Sequence, residues 1–169
     1  MEAIVGAVER SRVHLRANVV TRPLEPAFAY RHPERRDCES LGSLMLSAYR
    51  GTIDERHKIE DEAIEHIAKY FSGEFGKPLL GCSYVAHQEE LPVSVALVSM
   101  DGDEPLLAQL YTVPEWKNRG LASALIQLSM NALIENGFGV LNLMVTDGNE
   151  AAAHVYRKLG FEPFSEENA

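Results

Sequence analysis

WKNRGLASALIQ, residues 116–127, places a charged turn with a glycine at the start of an apolar-faced helix, directly after the strand-like run PLLAQLYTV (105–113). Glycine destabilises a helix, so its position at this junction needs a reason. The first N–H groups of a helix lack backbone partners, and the helix dipole adds partial positive charge there. Because Gly120 lets a ligand approach that backbone, the turn is either an ordinary connection or an anion-binding site.

The side chains of the turn are compatible with an anionic ligand. Lys117 and Arg119 can add positive charge, Ser123 can add a hydroxyl donor, and Ala122 keeps the next contact small. The phosphate loop GxxxxGK[ST] is absent, and no GxGxxG follows the first strand. These absences argue against ATP, GTP and NAD as the ligand.

Composition limits the class of protein. The chain has 169 residues, 46% of them hydrophobic and 24% charged, as expected for one globular domain. A net charge of −9 disfavours nucleic-acid binding and is compatible with a cationic partner such as an amine. We find no apolar run of bilayer length and no signal peptide, so no membrane association is expected. Cys38 and Cys82 form neither a metal pattern nor a disulfide framework, which favours a reducing, cytoplasmic location.

The order of the predicted elements indicates a mixed sheet. The predicted strands are VHLRANVV (13–20, an edge strand), AFAYRH, 79–87, 92–100, 105–113, 139–146 and FEPF. The predicted helices are ERRDCESLGSLMLSAYRG, HKIEDEAIEHIAKYFSGEFG, 119–136 and 150–159. Antiparallel hairpins precede a β-α-β crossover, so the fold is a mixed α/β (α+β) one. We expect residues 1–25 to be an N-terminal extension and residues 26–169 to be a single domain.

The helix at 119–136 has a periodic polar side. Its polar residues recur every four positions and predict a narrow face exposed to water: Arg119, Ser123, Gln127, Asn131 and Glu135. The rest of the helix surface is apolar, as expected for a helix that lies across a sheet.

A second segment of interest is NEAAAHVYRKLGF, residues 149–161. Asn149 is placed to cap a helix, and Tyr156 lies two turns later on the same face. Gly160 then ends the helix. Taken alone, this segment is most simply a capped helix with a half-buried tyrosine.

Together the two segments resemble the GNAT superfamily of acyl-CoA-dependent N-acyltransferases. K-x-x-G-x-A at 117–122 resembles the Q/R-x-x-G-x-G/A signature of that superfamily. The N-x-x-A-x-x-x-Y-x-x-x-G-F motif is matched at every position: Asn149, Ala152, Tyr156, Gly160 and Phe161. The resemblance covers residues 80–161, rests on element order over 37–72, and does not reach 1–25. It implies a central sheet with antiparallel N-terminal strands, a splayed parallel pair and helices on both faces.

The resemblance also implies acetyl-CoA as co-substrate and no metal. The expected pyrophosphate site is the backbone of Lys117, Asn118, Arg119, Gly120, Leu121, Ala122 and Ser123. The expected pantetheine site is the end of the preceding strand, Leu110, Tyr111, Thr112 and Val113, together with Asn149. By the same resemblance a primary amine attacks the thioester, and Tyr156, with a reference pKa near ~10, protonates the leaving thiolate.

The acceptor is expected to be a small-molecule or peptide amine. Its pocket is implied near the first two helices, with Tyr49, Glu55 and Gln109 as candidate contacts and Asp54 beside them. Many members carry a glutamate at the position of Gln109, and an amide cannot act as a base. The alternative bases by sequence are Asp54, Glu55, Glu104, Glu115, His57 and His87. A homodimer is the expectation for the family.

Two alternatives to an enzyme stay open. Gln109 allows a catalytically weak acyl-CoA-binding regulatory or sensor module, and a nucleotide-binding α/β domain is disfavoured by the absent loops. A further departure is that few residues follow Phe161, where the family has another hairpin strand. We hypothesise that VHLRANVV occupies that sheet position, in its own subunit or in a partner's.

Overall fold

The computed structural model describes residues 11–55, 57 and 59–165. In this part of the chain a seven-stranded sheet is combined with four α-helices. The strands are β1 (Arg12–Asn18), β2 (Ala29–Arg31), β3 (Tyr84–Gln88), β4 (Leu91–Asp101), β5 (Glu104–Thr112), β6 (Val140–Thr146) and β7 (Glu162–Pro163). The helices are α1 (Cys38–Tyr49), α2 (Glu60–Ser72), α3 (Leu121–Glu135) and α4 (Glu150–Lys158). The sheet order is β2-β3-β4-β5-β6-β1-β7, which confirms the mixed α/β fold.

The antiparallel half of the sheet runs from β2 to β5, as predicted. The strand predicted over residues 79–87 was wrong at its start. Residues 80–82 form a 3-10 turn, and β3 begins at Tyr84. The Ser83 hydroxyl donates to the Leu79 carbonyl (2.8 Å) and accepts the Val98 N–H (2.8 Å). The Ser83 side chain thus bonds backbone groups that strand pairing would otherwise use, and the chain turns before β3 starts.

The parallel pair β5–β6 is splayed. These strands pair only at Leu106–Asn142 and Leu107–Leu143, near the start of β5. Past Leu107 the two strands separate, and β5 keeps only its partner β4 as far as Thr112. The divergence opens a wedge between the ends of β5 and β6, as the resemblance implied.

Helices cover both faces of the sheet. Helix α3 packs on one face, where Leu125, Ile126 and Leu133 are fully buried in one core cluster. Helices α1 and α2 pack on the other face around Ile67 and Tyr70. The helices that the structure describes include none long and apolar enough to cross a membrane.

The predicted exposed polar face of α3 is wrong in its central part. Gln127 is only 4% exposed. The segment after β1 lies over this face, and the Gln127 amide donates to the Val20 carbonyl (2.7 Å). Asn131 exchanges two hydrogen bonds with the Arg22 backbone (3.1 and 2.8 Å). Two of the recurring polar residues of α3, Gln127 and Asn131, therefore bind another part of the chain.

Strand β1 lies between β6 and β7 in the sheet of its own chain. It pairs antiparallel with β6 from Arg12–Thr146 to Asn18–Val140 and carries Leu15 and Ala17 into the core. Strand β7 then pairs with β1 at Leu15 and Arg16, so β1 is not an edge strand there. The sheet position hypothesised for VHLRANVV is occupied by VHLRAN within the chain itself.

We expect that Leu15→Ala lowers the free energy of unfolding by about 2–5 kcal/mol, because it leaves a cavity in the main core. Deletion of residues 1–22 should be more severe, because it removes every β1–β6 hydrogen bond and exposes the edge of β6. Urea unfolding of purified variants measures both effects. The control is Val20→Ala, whose side chain is 48% exposed and whose loss should change stability by no more than about 0.5 kcal/mol. A deletion variant with unchanged unfolding would contradict the role given to β1.

Candidate active site

The wedge between β5 and β6 opens into a cleft of about 770 Å³, a volume suited to a small-molecule ligand. Its walls are the end of α1 with the following loop, β5, the turn before α3, β6 and the start of α4. The predicted site residues that line it are Tyr49, Gln109, Leu110, Tyr111, Thr112, Lys117, Asn118, Gly120, Leu121, Ala122, Ser123, Asn149 and Tyr156. Val113, Arg119 and Glu55 lie outside this lining.

The turn before α3 presents unbonded backbone N–H groups. Asn118 and Gly120 both have positive φ angles, of 64° and 79°. The first internal bond of the helix is from Ala124 N–H to the Gly120 carbonyl, and within the described residues the N–H groups of 118–123 have no partner. The amide of Lys117 differs, since it donates to the Pro114 carbonyl (3.3 Å). Left-handed residues at a helix start form a concave donor set that suits an anion.

The two basic side chains of the turn are already engaged. The Lys117 ammonium donates to the Ala48 carbonyl near the end of α1 (3.3 Å). The Arg119 guanidinium lies 4.6 Å from the centre of the Trp116 ring. The Lys117 contact fixes the turn to α1 and the Arg119 contact lies within the turn, so an anion placed here would meet mainly backbone N–H groups.

The end of strand β5 is held by contacts with α1. The Tyr49 hydroxyl donates to the Leu110 carbonyl (3.0 Å). The Tyr111 side chain is packed in the α1/α2 core, and its hydroxyl is buried without a hydrogen-bond partner in the described part of the chain. Burial raises the pKa of Tyr111 well above its usual value, so this phenol stays neutral. Leu121 likewise has its side chain in the core, which leaves its N–H for a ligand.

Asp54 and Asn149 meet across the cleft. The Asn149 side chain accepts from Ala152 N–H (3.2 Å), which confirms it as the cap of α4. Its Nδ2 donates to Asp54 Oδ2 (3.0 Å), while Thr146 Oγ1 donates to Asp54 Oδ1 (2.6 Å). Glu55 instead accepts from Gly51 N–H (2.9 Å) and closes its own loop. Of the two neighbouring acids, therefore, Asp54 is the one that faces the cleft.

Tyr156 lies in the cleft wall and is only 9% exposed. Its ring packs edge-on against Phe161, with centroids 5.9 Å apart. Burial, reinforced by the charge of Asp54, raises the pKa of Tyr156 to about 12. The hydroxyl makes no hydrogen bond to any residue that the structure describes, so its proton is available to a ligand atom.

His66 lines the cleft and was not predicted from the sequence. Its Nε2 lies 2.8 Å from the amide nitrogen of Gln109, and the centroids of the tilted His57 and Phe75 rings each lie 5.1 Å from that of its own ring. Burial lowers the pKa of His66, and the nearby charges of His57, Lys69 and Arg12 lower it further. The feature of the sequence that could have indicated His66 is its position next to Ile67, on the side of α2 that is buried in the core.

The other bases considered from the sequence divide into two groups. Asp54 and His57 line the cleft, with His57 Nδ1 3.6 Å from Glu62 Oε2. Glu104 is held by Arg16 (2.8 Å) and by Asn142 (2.7 Å), away from the cleft lining. The remaining candidates, Glu55, Glu115 and His87, also lie outside that lining. The described residues contain no group of three His, Cys, Asp or Glu side chains arranged to hold a metal ion.

Comparison with known proteins identifies the family. The model of the acetyltransferase (GNAT) family matches residues 39–161, which is most of the chain. The chain belongs to the GNAT acetyltransferase family. The matched region contains the turn before α3, both splayed strands and Tyr156, whereas β1 lies outside it.

Individual relatives of this GNAT domain match over short regions. The mycothiol acetyltransferase of Rhodococcus jostii is 39% identical over 66 residues, which are 37% of this chain and 22% of that protein. The spermidine N(1)-acetyltransferase of Escherichia coli K12 is 43% identical over 58 residues, 31% of this chain and 29% of that protein. The chain thus spans under a third of the length of these relatives.

Solved structures support the fold. A predicted acetyltransferase of Clostridium acetobutylicum, crystallised with acetyl-CoA, has a TM-score of 0.61 and 18% sequence identity. That match covers 82% of this chain and 92% of the other. At this identity the similarity shows the common GNAT fold.

We expect that Gly120→Ala weakens the binding of coenzyme A about tenfold or more, because a side chain at φ 79° disturbs the donor set of the turn. The matched control is Gly137→Ala, at the other end of α3, where φ is 85° and no atom lies within 4 Å of an added Cβ. Both variants carry similar backbone strain, but only Gly120 lines the cleft. Calorimetric titration with coenzyme A measures the affinity. Equal affinities in the two variants would contradict the site.

Proposed function

We propose that this GNAT domain transfers an acetyl group from acetyl-CoA to a primary amine. The observation that carries the proposal is that the N–H groups of Asn118 and of Gly120 to Ser123 and the hydroxyl of Tyr156, all without a hydrogen-bond partner among the described residues, belong to the same cleft. The first can bind a pyrophosphate, and the second can donate a proton to a leaving group. Family membership supports this combination.

The cleft fits an extended CoA thioester. The donor set at the start of α3 suits the pyrophosphate, because its charge is met by backbone N–H groups and the helix dipole. Beyond Leu107, strand β5 has no strand partner on its β6 side within residues 11–55, 57 and 59–165, so pantetheine can pair there as an added strand. Asn149 Nδ2 would exchange its contact with Asp54 for a pantetheine carbonyl.

In the proposed reaction the neutral amine attacks the thioester carbonyl directly. The bond from nitrogen to carbon forms, the carbon–sulfur bond breaks, and the thiolate takes the proton of Tyr156. A raised pKa keeps that phenol protonated at neutral pH. The tyrosinate then recovers a proton from the amide nitrogen that has formed, which returns the enzyme to its starting state.

The acceptor is proposed to be a small-molecule or peptide amine. Its ammonium can approach Asp54, whose carboxylate lines the cleft and lies beside Tyr49. The similarity to proteins named mycothiol acetyltransferase and spermidine N(1)-acetyltransferase supports the class of amine acceptors in general. A homodimer and a cytoplasmic location stay predictions.

The test combines binding with turnover. Acetyl-CoA and coenzyme A should raise the melting temperature by mass action, while ATP and NAD should leave it unchanged. A panel of polyamines, amino acid derivatives, aminoglycosides and peptides is then screened for release of the CoA thiol. Stabilisation without thiol release across the panel would favour the sensor module, and stabilisation by ATP or NAD would favour a nucleotide-binding domain.

Tyr156→Phe should lower kcat by about 10²-fold or more, since a general acid contributes roughly 10²–10⁴. The affinity for coenzyme A should change little, because the variant keeps the ring and its packing against Phe161. Steady-state kinetics and calorimetry separate the two quantities. Tyr84→Phe is the matched control, since Tyr84 is a half-buried tyrosine on β3 outside the cleft lining. An unchanged kcat in Tyr156→Phe would remove it from the reaction.

A further inference from the structure

The proposed reaction needs a group that deprotonates the acceptor. A lysine-type amine has a reference pKa of about 10.4, so at neutral pH it is charged and has no lone pair for attack. Gln109 cannot take the proton, because a carboxamide is not a base at this pH. The carboxylate and imidazole groups in the described cleft lining, which are the side chains there suited to accept a proton, are Asp54, His57 and His66.

Both oxygens of Asp54 are already bonded. Thr146 and Asn149 each donate to one of them, at 2.6 and 3.0 Å. Both carboxylate oxygens are thus engaged by donors of the chain itself. Asp54 is therefore better suited to attract an ammonium than to remove its proton.

His66 is directed at the cleft from α2. The amide nitrogen of Gln109 can only donate, so the 2.8 Å contact identifies Nε2 of His66 as the unprotonated nitrogen of the ring. Its lone pair therefore faces β5, whose residue Gln109 lines the cleft. The rings of Phe75 and His57, both 5.1 Å from the ring of His66, hold it in place.

We propose that His66 is the general base of this enzyme and that Gln109 positions it. This inference rests on the proposed acetyl transfer. An acceptor ammonium, or a water between it and the ring, takes the place of the Gln109 N–H at Nε2. The Gln109 N–H thus orients the His66 ring before substrate binds. Gln109 occupies the strand position where many family members carry a glutamate.

The surroundings of His66 keep the imidazole neutral and ready to accept a proton. Burial disfavours the imidazolium and lowers the pKa of His66. The charged and titratable groups facing it are His57 from the α1–α2 loop, Lys69 from α2 and Arg12 from β1, and each lowers that pKa further. Gln109 and Phe75 contribute no charge.

The protons balance over one turnover. The acceptor loses one proton to His66 Nε2 before attack and a second one, through Tyr156, to the CoA thiol. The amide product keeps the third. His66 then returns its proton to solvent, and His57 with Glu62 lies on that route, since their side chains are 25% and 54% exposed.

The test is the pH dependence of kcat/KM in His66→Gln. In the wild type the rate should rise with pH and level off above the pKa of His66. In the variant it should be about 10²-fold lower at pH 7 and should rise tenfold per pH unit toward the pKa of the amine itself. Stabilisation by coenzyme A should be retained, which shows that the variant is folded. The matched control is His154→Gln, which should keep the wild-type pH profile. His154 is an exposed residue of α4 and lies outside the cleft lining.

Gln109→Glu is a second variant that leaves His66 in place. A carboxylate at this position stabilises the imidazolium, so the pKa of His66 rises and the ascending limb moves to higher pH. A merely structural role for His66 would leave that limb where it is, and this result would overturn the inference.

The outcomes also separate this inference from the proposed function. If the wild-type protein transfers acetyl groups and the His66→Gln variant keeps both the wild-type rate and the wild-type pH profile, only the role of His66 is overturned. Wild-type protein that binds coenzyme A and acetylates no amine would overturn the proposed function and the role of His66 together.

Discussion

The short pairing between β5 and β6 is the constraint on which the site depends. Two residue pairs join these parallel strands, and beyond Leu107 the backbone of β5 pairs with no other described strand on that side. A buried backbone without hydrogen bonds is costly, so such a gap persists only where water or a ligand can enter. The same divergence brings the starts of α3 and α4 to one cleft, because each helix follows the end of a splayed strand.

The gap between β5 and β6 remains open only if β6 is fixed along its other edge, the one that does not face β5. Strand β1 does so along the whole of β6, while its residues Leu15 and Ala17 join the core under α3. The segment that follows β1 is bound to Gln127 and Asn131 on that helix. The N-terminal part of the chain therefore fixes β6 and α3 relative to each other, and with them two walls of the cleft.

The sequence was sufficient where a local pattern carries the information. The glycine turn, the Asn149 cap and the strands that flank them depend on residues close together in the chain, so they could be predicted. His66 and Asp54 could not be placed in this way, because their roles arise from contacts with Gln109, Thr146 and Asn149 far away in sequence. The covered polar face of α3, with Gln127 and Asn131, was missed for the same reason. A periodic pattern of polar residues does not show whether they bind water or another segment of the chain.

Burial acts in opposite directions on the two groups proposed to move protons. The charged form of a tyrosine is the deprotonated one, so burial raises the pKa of Tyr156, while for His66 the charged form is protonated and burial lowers its pKa. One physical cause thus keeps the acid protonated and the base unprotonated at the same pH. The negative charge of Asp54 then remains in the cleft lining to attract an ammonium, without needing to serve as the base itself.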